Sequence, residues 1–121
     1  MALHFERSEF DARRDRLMIE MAERKLDAIL LFAQESMYWL TGYDTFGFCF
    51  FQCLVVKADG TMALLTRSAD LRQAQQTSNL GDIRIWKDGR DADPTVDLLA
   101  LTRDLGLAGK RIGVEFDATR P

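Results

Sequence analysis

Five short apolar runs, separated by segments with helical spacing, constrain the fold of this chain more than any other feature. The first run, at 27–32, is continuous and bounded by polar residues, which is typical of a strand buried on both faces of a sheet. The other predicted elements are strands at 48–56, 61–66, 82–86 and 111–115, and helices at 9–24, 35–40, 69–77 and from Pro94 to Gly106. Because helices separate most of the strands, the sequence predicts a three-layer α/β domain with helices on both faces of a five-stranded sheet.

One pair of neighbouring strands carries a hairpin signal. Asp59 and Gly60 lie between the strands predicted at 48–56 and 61–66, and this dipeptide favours a tight turn between antiparallel strands. The other strands follow helices, so one antiparallel hairpin makes the predicted sheet mixed.

Asp93 followed by Pro94 predicts a helix start, because an acidic N-cap and a proline in the first turn both suit that position.

The composition is that of an ordinary globular domain and argues against several function classes. The chain has 121 residues, 47% of them hydrophobic, and its formal net charge of −3 comes from interspersed residues of both signs. No basic face or tail stands out, so we expect no nucleic-acid partner. No apolar run approaches the roughly 20 residues that span a bilayer, so we expect no membrane segment.

The two cysteines, Cys49 and Cys53, are predicted to be reduced. On one strand they would lie about 13 Å apart, whereas a disulfide needs Cα atoms within about 7 Å of each other. They therefore cannot pair with each other, which favours the cytoplasm as the location of the protein.

The chain lacks the residue patterns of a catalytic or metal site. His4 is its only histidine, and no HExxH, CxxC or GxSxG spacing is present. Glu115 ends the last predicted strand, where a carboxylate can be functional, but without a partner base or metal a surface or capping role is favoured. We therefore predict no catalytic residue, metal ligand or cofactor in this chain, and we expect no hydrolase activity from it alone.

The most unusual stretch, 43–51, contains five aromatic residues in nine positions. It admits two interpretations: a central strand packed on both faces, or a strand whose first half, 43–48, projects from the sheet as an aromatic loop. Such a loop would pack against another subunit or domain, or line a substrate pocket. The candidates for substrate gating or dimer contact are Tyr43, Asp44, Phe46, Phe48, Trp39 and Trp86.

Four segments resemble, in order, the N-terminal domain of the creatinase/prolidase family, the pita-bread Xaa-Pro peptidases. Residues 5–17 resemble its opening helix, and residues 26–31 resemble its first strand. The segment Glu-Ser-Met-Tyr-Trp-Leu-Thr-Gly at 35–42 is similar to the family's acid-Asn-apolar-Tyr-Tyr-Leu-Thr-Gly signature, with Ser36 in place of the asparagine. Residues 110–115, Lys-Arg-Ile-Gly-Val-Glu, resemble a strand near the end of that domain.

The resemblance implies a ribonuclease-H-like fold for residues 1–121 and a C-terminal catalytic domain that lies outside this chain. In prolidase and aminopeptidase members, that domain holds two divalent metal ions (Mn, Co or Zn) through two Asp, one His and two Glu. Creatinase members use the same fold without metal. The N-terminal domain helps to build a homodimer and reaches over the active site of the partner subunit.

The resemblance therefore implies the non-catalytic N-terminal domain of a metal-dependent Xaa-Pro dipeptidase or aminopeptidase-like hydrolase that acts on a small peptide or amide. One alternative is the same domain of a metal-free or specialised C–N hydrolase of the creatinase or ectoine-hydrolase kind; another is a stand-alone interaction module. In creatinase a Phe-Gly-Arg segment binds the substrate carboxylate, and the matching positions here are Phe48, Cys49 and Phe50. The arginine is missing, so creatine is not the expected substrate.

Overall fold

The predicted alternation of helices and strands is confirmed over residues 7–43, 51–87 and 92–115, the parts of the chain that the computed structural model describes. In chain order the elements are α1 (Arg7–Glu23), β1 (Ala28–Leu31), α2 (Gln34–Thr41), β2 (Cys53–Lys57), β3 (Met62–Arg67), a 3-10 turn (Ser68–Asp70), α3 (Leu71–Thr77), β4 (Ile83–Trp86), α4 (Pro94–Asp104) and β5 (Ile112–Val114). Within those ranges no helix is both long and apolar enough to cross a membrane.

The five strands form one mixed sheet in the order β4-β3-β2-β1-β5. The β1–β5 and β3–β4 pairs are parallel, whereas β2 runs antiparallel to both of its neighbours. The sequence predicted the antiparallel hairpin of β2 and β3 but not the second antiparallel pair, β1–β2. The reason is that β1 and β2 are joined through α2 and the residues that follow it, and such a long connection carries no turn signal for strand direction.

Helices cover both faces of the sheet, as predicted. Because side chains alternate along each strand, Leu31, Leu54 and Leu64 face one way, where residues of α1, α2 and α3 pack on them. Val55 and Leu65 face the other way, toward α4. The two apolar clusters on either side of the sheet form the core of the described domain.

The second strand is shorter than the sequence predicts. It begins at Cys53, and the described residues Phe51 and Gln52 precede it; positions 48–50 of the predicted strand lie outside the described residues. Cys53 is a buried free thiol, as predicted, whereas Cys49 also lies outside the described residues.

Local sequence signals fix the β2–β3 turn and the start of α4. The Lys57 amide donates to the Thr61 carbonyl at 2.8 Å, and Gly60 has φ +92°, a conformation that favours glycine. The Asp59 carboxylate accepts from the Thr61 amide at 2.9 Å, which closes the turn. At α4 the Asp93 carboxylate accepts from the Thr95 amide, so the predicted N-cap is confirmed.

We expect Gly60→Ala to lower the free energy of unfolding by about 1–2 kcal/mol, because an L side chain is strained at positive φ. Gly81→Ala is the matched control, since a Cβ at Gly81 meets no heavy atom within 4 Å and its φ is not positive. Urea unfolding followed by circular dichroism measures both variants. Equal stabilities for the two would contradict the assigned turn geometry.

Candidate functional site

The candidate site lies at the ends of the strands, on the side of the sheet where β1, β3, β4 and β5 end and β2 begins. We call this side the carboxyl edge. In α/β sheets the carboxyl ends of strands are the usual position of ligand and partner sites. Described residues next to three stretches of sequence outside the described ranges lie at this edge: Tyr43 and Phe51 on either side of 44–50, Lys87 before 88–91, and Glu115 before 116–121. The aromatic stretch singled out from the sequence therefore starts and ends at the carboxyl edge.

Glu115, at the end of β5, caps helix α2 from the far end of the sequence. One oxygen of its carboxylate accepts hydrogen bonds from the backbone amides of Phe32 and Ala33, both at 2.8 Å. The other oxygen accepts from the hydroxyl of Ser36. The N-cap residue Ala33 has no side-chain acceptor of its own, and the carboxylate instead binds the Ala33 amide, one of the amides at a helix start that have no partner within the helix. The capping role favoured for Glu115 from sequence is confirmed.

Tyr43 follows the end of α2 and points into the core. Gly42 ends the helix in the left-handed region, with φ 82°, and its amide donates to the Tyr38 carbonyl. The Tyr43 ring is completely buried, and its hydroxyl lies 2.9 Å from the hydroxyl oxygen of Thr66 on β3. The buried polar atom is thus satisfied, which lets the ring serve as a core residue at the carboxyl edge.

Hydrogen bonds of two glutamines connect described residues on either side of the 44–50 segment. The Gln34 side-chain amide donates to the Tyr43 carbonyl at 2.8 Å, and its carbonyl oxygen accepts from the Gln52 side chain at 2.9 Å. Gln52 is buried, so this contact is screened little by water. Sequence reasoning missed both glutamines, because nothing in their spacing distinguishes them from surface residues.

Trp86, a second candidate from the sequence, is also a core residue. It is buried at the end of β4 and packs with the apolar cluster under α4. Its indole N–H donates to the Phe51 carbonyl at 2.9 Å, which fixes the backbone just before β2. The Trp86 side chain therefore makes its contacts inside the domain.

Trp39 is the described candidate that lies on the surface, with 42% of the residue exposed. The guanidinium groups of Arg13 and Arg16 lie 5.3 and 5.6 Å from the centre of its ring, within cation–π range. Arg13 also donates to the Trp39 carbonyl at 2.7 Å, so α1 holds the ring in place. Beside it, a groove of about 430 Å³ is lined by Leu17, Leu31, Glu35, Ser36, Trp39 and Leu40.

The remaining candidates, Asp44, Phe46 and Phe48, lie outside the described residues. The structure thus assigns Tyr43 and Trp86 to the core and Trp39 to the surface, and the gating or dimer role of all six candidates stays a prediction.

The electrostatics of the described site offer no activated group. Burial, and to a smaller extent the negative charge of Glu115, raise the pKa of the Cys53 thiol to about 12, so the thiol stays protonated at neutral pH. No group of three or more His, Cys, Asp or Glu side chains that could hold a metal ion occurs in the described part of the chain.

We expect Trp86→Phe to lower the free energy of unfolding by about 2 kcal/mol, because it leaves a cavity and an unpaired Phe51 carbonyl. Trp39→Phe is the control on the exposed tryptophan and should change stability by less than about 1 kcal/mol. Urea unfolding measures both. A larger loss for Trp39→Phe than for Trp86→Phe would contradict the assignment of core and surface.

The fold matches those of solved peptidase domains. A proline dipeptidase from Streptococcus pneumoniae aligns with a TM-score of 0.72 and 21% identity over 88% of this chain and 75% of that chain. The N-terminal domain of an Xaa-Pro dipeptidase from Lactobacillus brevis gives a TM-score of 0.73 and 12% identity over 89% of this chain and 81% of that chain. At these identities the likeness establishes the fold alone.

Sequence comparison establishes the family. Ectoine hydrolase from Halomonas elongata is 32% identical over 124 aligned positions, which cover 97% of this chain and 31% of the relative. This chain therefore spans about a third of the length of that relative. The profile of the creatinase/prolidase N-terminal domain matches residues 13–121, which include the carboxyl edge and the capping Glu115. The chain belongs to the creatinase/prolidase N-terminal domain family.

Proposed function

We propose that this chain is the non-catalytic N-terminal domain of a metal-dependent Xaa-Pro dipeptidase or aminopeptidase-like hydrolase, and that it serves dimerisation and substrate gating. The observation that carries the proposal is that Tyr43 and Phe51, the residues that flank the aromatic segment 44–50 in sequence, both lie at the carboxyl edge. Aromatic side chains at such an edge suit a contact with a second domain or subunit and the exclusion of water from a substrate.

The opposite edge of the sheet supports this orientation, because backbone groups there are paired with one another through Asp27. The Asp27 amide donates to the Arg111 carbonyl at 2.8 Å, and the Arg111 amide donates to the Asp27 carboxylate at 2.9 Å. The Ala58 amide donates to the Asp27 carbonyl at 2.8 Å. Asp27 thus joins β1, the end of β2 and the start of β5, which leaves the carboxyl edge as the better surface for another polypeptide.

Trp39 extends the proposed contact surface from the carboxyl edge to α2. Tryptophan and arginine are the residue types that contribute most to protein interfaces, and here Arg13 and Arg16 hold the ring in a fixed orientation. A ring held in place before binding loses little conformational entropy when a partner covers it. We assign the partner as the catalytic domain of the same protein or of a second subunit in a homodimer.

The catalytic groups and any metal ions belong, in this proposal, to polypeptide outside residues 1–121. The ectoine hydrolase relative is about three times as long as this chain, which leaves room for a catalytic domain. Two divalent ions, Mn, Co or Zn, would activate water there. The reduced, buried Cys53 supports a cytoplasmic protein.

The ectoine hydrolase relative favours a second candidate, a specialised C–N hydrolase of the same fold. That enzyme is 32% identical to this chain, a higher identity than that of either peptidase structure compared above. The two candidates share the role of this domain and differ in the substrate of the whole protein.

The two candidates make different predictions for the whole protein purified from its natural gene. The peptidase proposal predicts cleavage of an Xaa-Pro dipeptide that is lost with a chelator and restored by Mn²⁺ or Co²⁺. The second candidate predicts hydrolysis of ectoine instead. Residues 1–121 alone are the control and should cleave neither substrate. A folded whole protein that cleaves neither substrate under any metal condition would count against both candidates.

The interface proposal predicts the behaviour of the aromatic segment. We expect the double variant Phe46→Ser and Phe48→Ser to reduce self-association of the chain without unfolding it, because rings in an interface add little to the core. Analytical ultracentrifugation and circular dichroism measure the two effects. If the double variant unfolds, the two rings belong to the core, and the gating proposal fails.

A further inference from the structure

Helix α2 cannot be held in place by its own residues. It has eight residues, Gln34–Thr41, whereas isolated helices shorter than about 12 residues are marginal in water. Its N-cap residue, Ala33, offers no side-chain hydrogen bond. The position of α2 must therefore come from contacts with the rest of the domain, and the Glu115 carboxylate supplies polar contacts at its N-terminus.

We propose that Glu115 is a positioning residue that fixes α2, and with it Trp39 and Tyr43, relative to the point where the chain leaves the sheet. Its backbone amide donates to the Leu30 carbonyl at 2.9 Å, which holds the main chain of Glu115 beside β1. Its side chain then accepts two hydrogen bonds from the Phe32 and Ala33 amides, just before α2, and one from Ser36 within α2. Glu115 is thus held at the main chain by β1 and at the carboxylate by α2.

The charge of Glu115 suits this role as well as its geometry does. A negative group at a helix N-terminus interacts favourably with the helix dipole, and hydrogen bonds to a charged acceptor are stronger than neutral ones. Ser36, one helical turn before Trp39, donates to the same carboxylate. The contact therefore reaches into α2 itself as well as to the backbone that precedes it.

The consequence for function rests on the role proposed above. In that proposal, polypeptide that follows Glu115 leads toward the catalytic domain, whereas α2 carries Trp39 and precedes Tyr43 and the aromatic segment in sequence. Because Glu115 joins the end of β5 to α2, a contact surface on α2 keeps a constant position relative to the end of β5. A catalytic domain attached after Glu115 would then meet that surface in one orientation.

The test measures backbone order in residues 1–121 by NMR relaxation, so that it needs no substrate, metal or partner. In Glu115→Ala we expect the order parameters of Gln34–Thr41 to fall from about 0.85 to below about 0.6, while those of Met62–Arg67 stay near 0.85. Glu115→Gln should give order parameters between those of the wild type and Glu115→Ala, because its amide oxygen can still accept from the Phe32 and Ala33 amides but the charge is lost. Glu23→Gln removes an exposed carboxylate on α1 and is the matched charge control.

The outcomes separate positioning from general stability. The proposal would be overturned if the order parameters of α2 were unchanged in Glu115→Ala, even with a lower Tm. It would also be overturned if the order parameters of α2 and β3 fell equally. If Glu115→Ala does not fold, Glu115→Asp takes its place, because it keeps the charge and shortens the reach by one methylene. In Glu115→Asp, an intermediate fall of the order parameters that is confined to Gln34–Thr41 supports the proposal, and wild-type order parameters refute it. The order parameters do not depend on which substrate the whole protein hydrolyses, so this test is independent of the proposed function.

Discussion

The hydrogen bonds to the Glu115 carboxylate join parts of the chain that are about 80 residues apart in sequence. They supply the missing cap of α2 and connect the last strand to the helix that carries Trp39 and leads to Tyr43. A short helix with an alanine at its N-cap would otherwise leave orphan amides at the carboxyl edge. Gln34, the first residue of α2, bonds to the Tyr43 carbonyl and to Gln52, so a second set of side-chain contacts meets the start of the same helix.

The two edges of the sheet differ in a way that follows from chain direction. Four of the five strands end at the carboxyl edge, and β2 begins there. At the opposite edge Asp27 binds the backbones of Arg111 and Ala58, which joins β1, β2 and β5 there.

The aromatic residues have two distinct uses. Tyr43 and Trp86 place their polar atoms on Thr66 and on the Phe51 carbonyl, so large rings can be buried without an unsatisfied donor. Trp39 instead stacks with two arginines of α1 and stays exposed. The sequence could not separate these uses, because burial of a ring depends on which strands and helices surround it.

The sequence by itself determined the local elements, because their signals lie within a few residues. Apolar runs predicted five strands, Asp59 with Gly60 predicted the hairpin, and Asp93 with Pro94 predicted the start of α4. Four ordered segments also predicted the family, which the match over residues 13–121 establishes. Only the tertiary structure decided the antiparallel β1–β2 pair, the link between Gln34 and Gln52, and the three bonds that make Glu115 the cap of α2. The physical reason is that these contacts join residues far apart in the chain, and their partners become neighbours only when the sheet has formed.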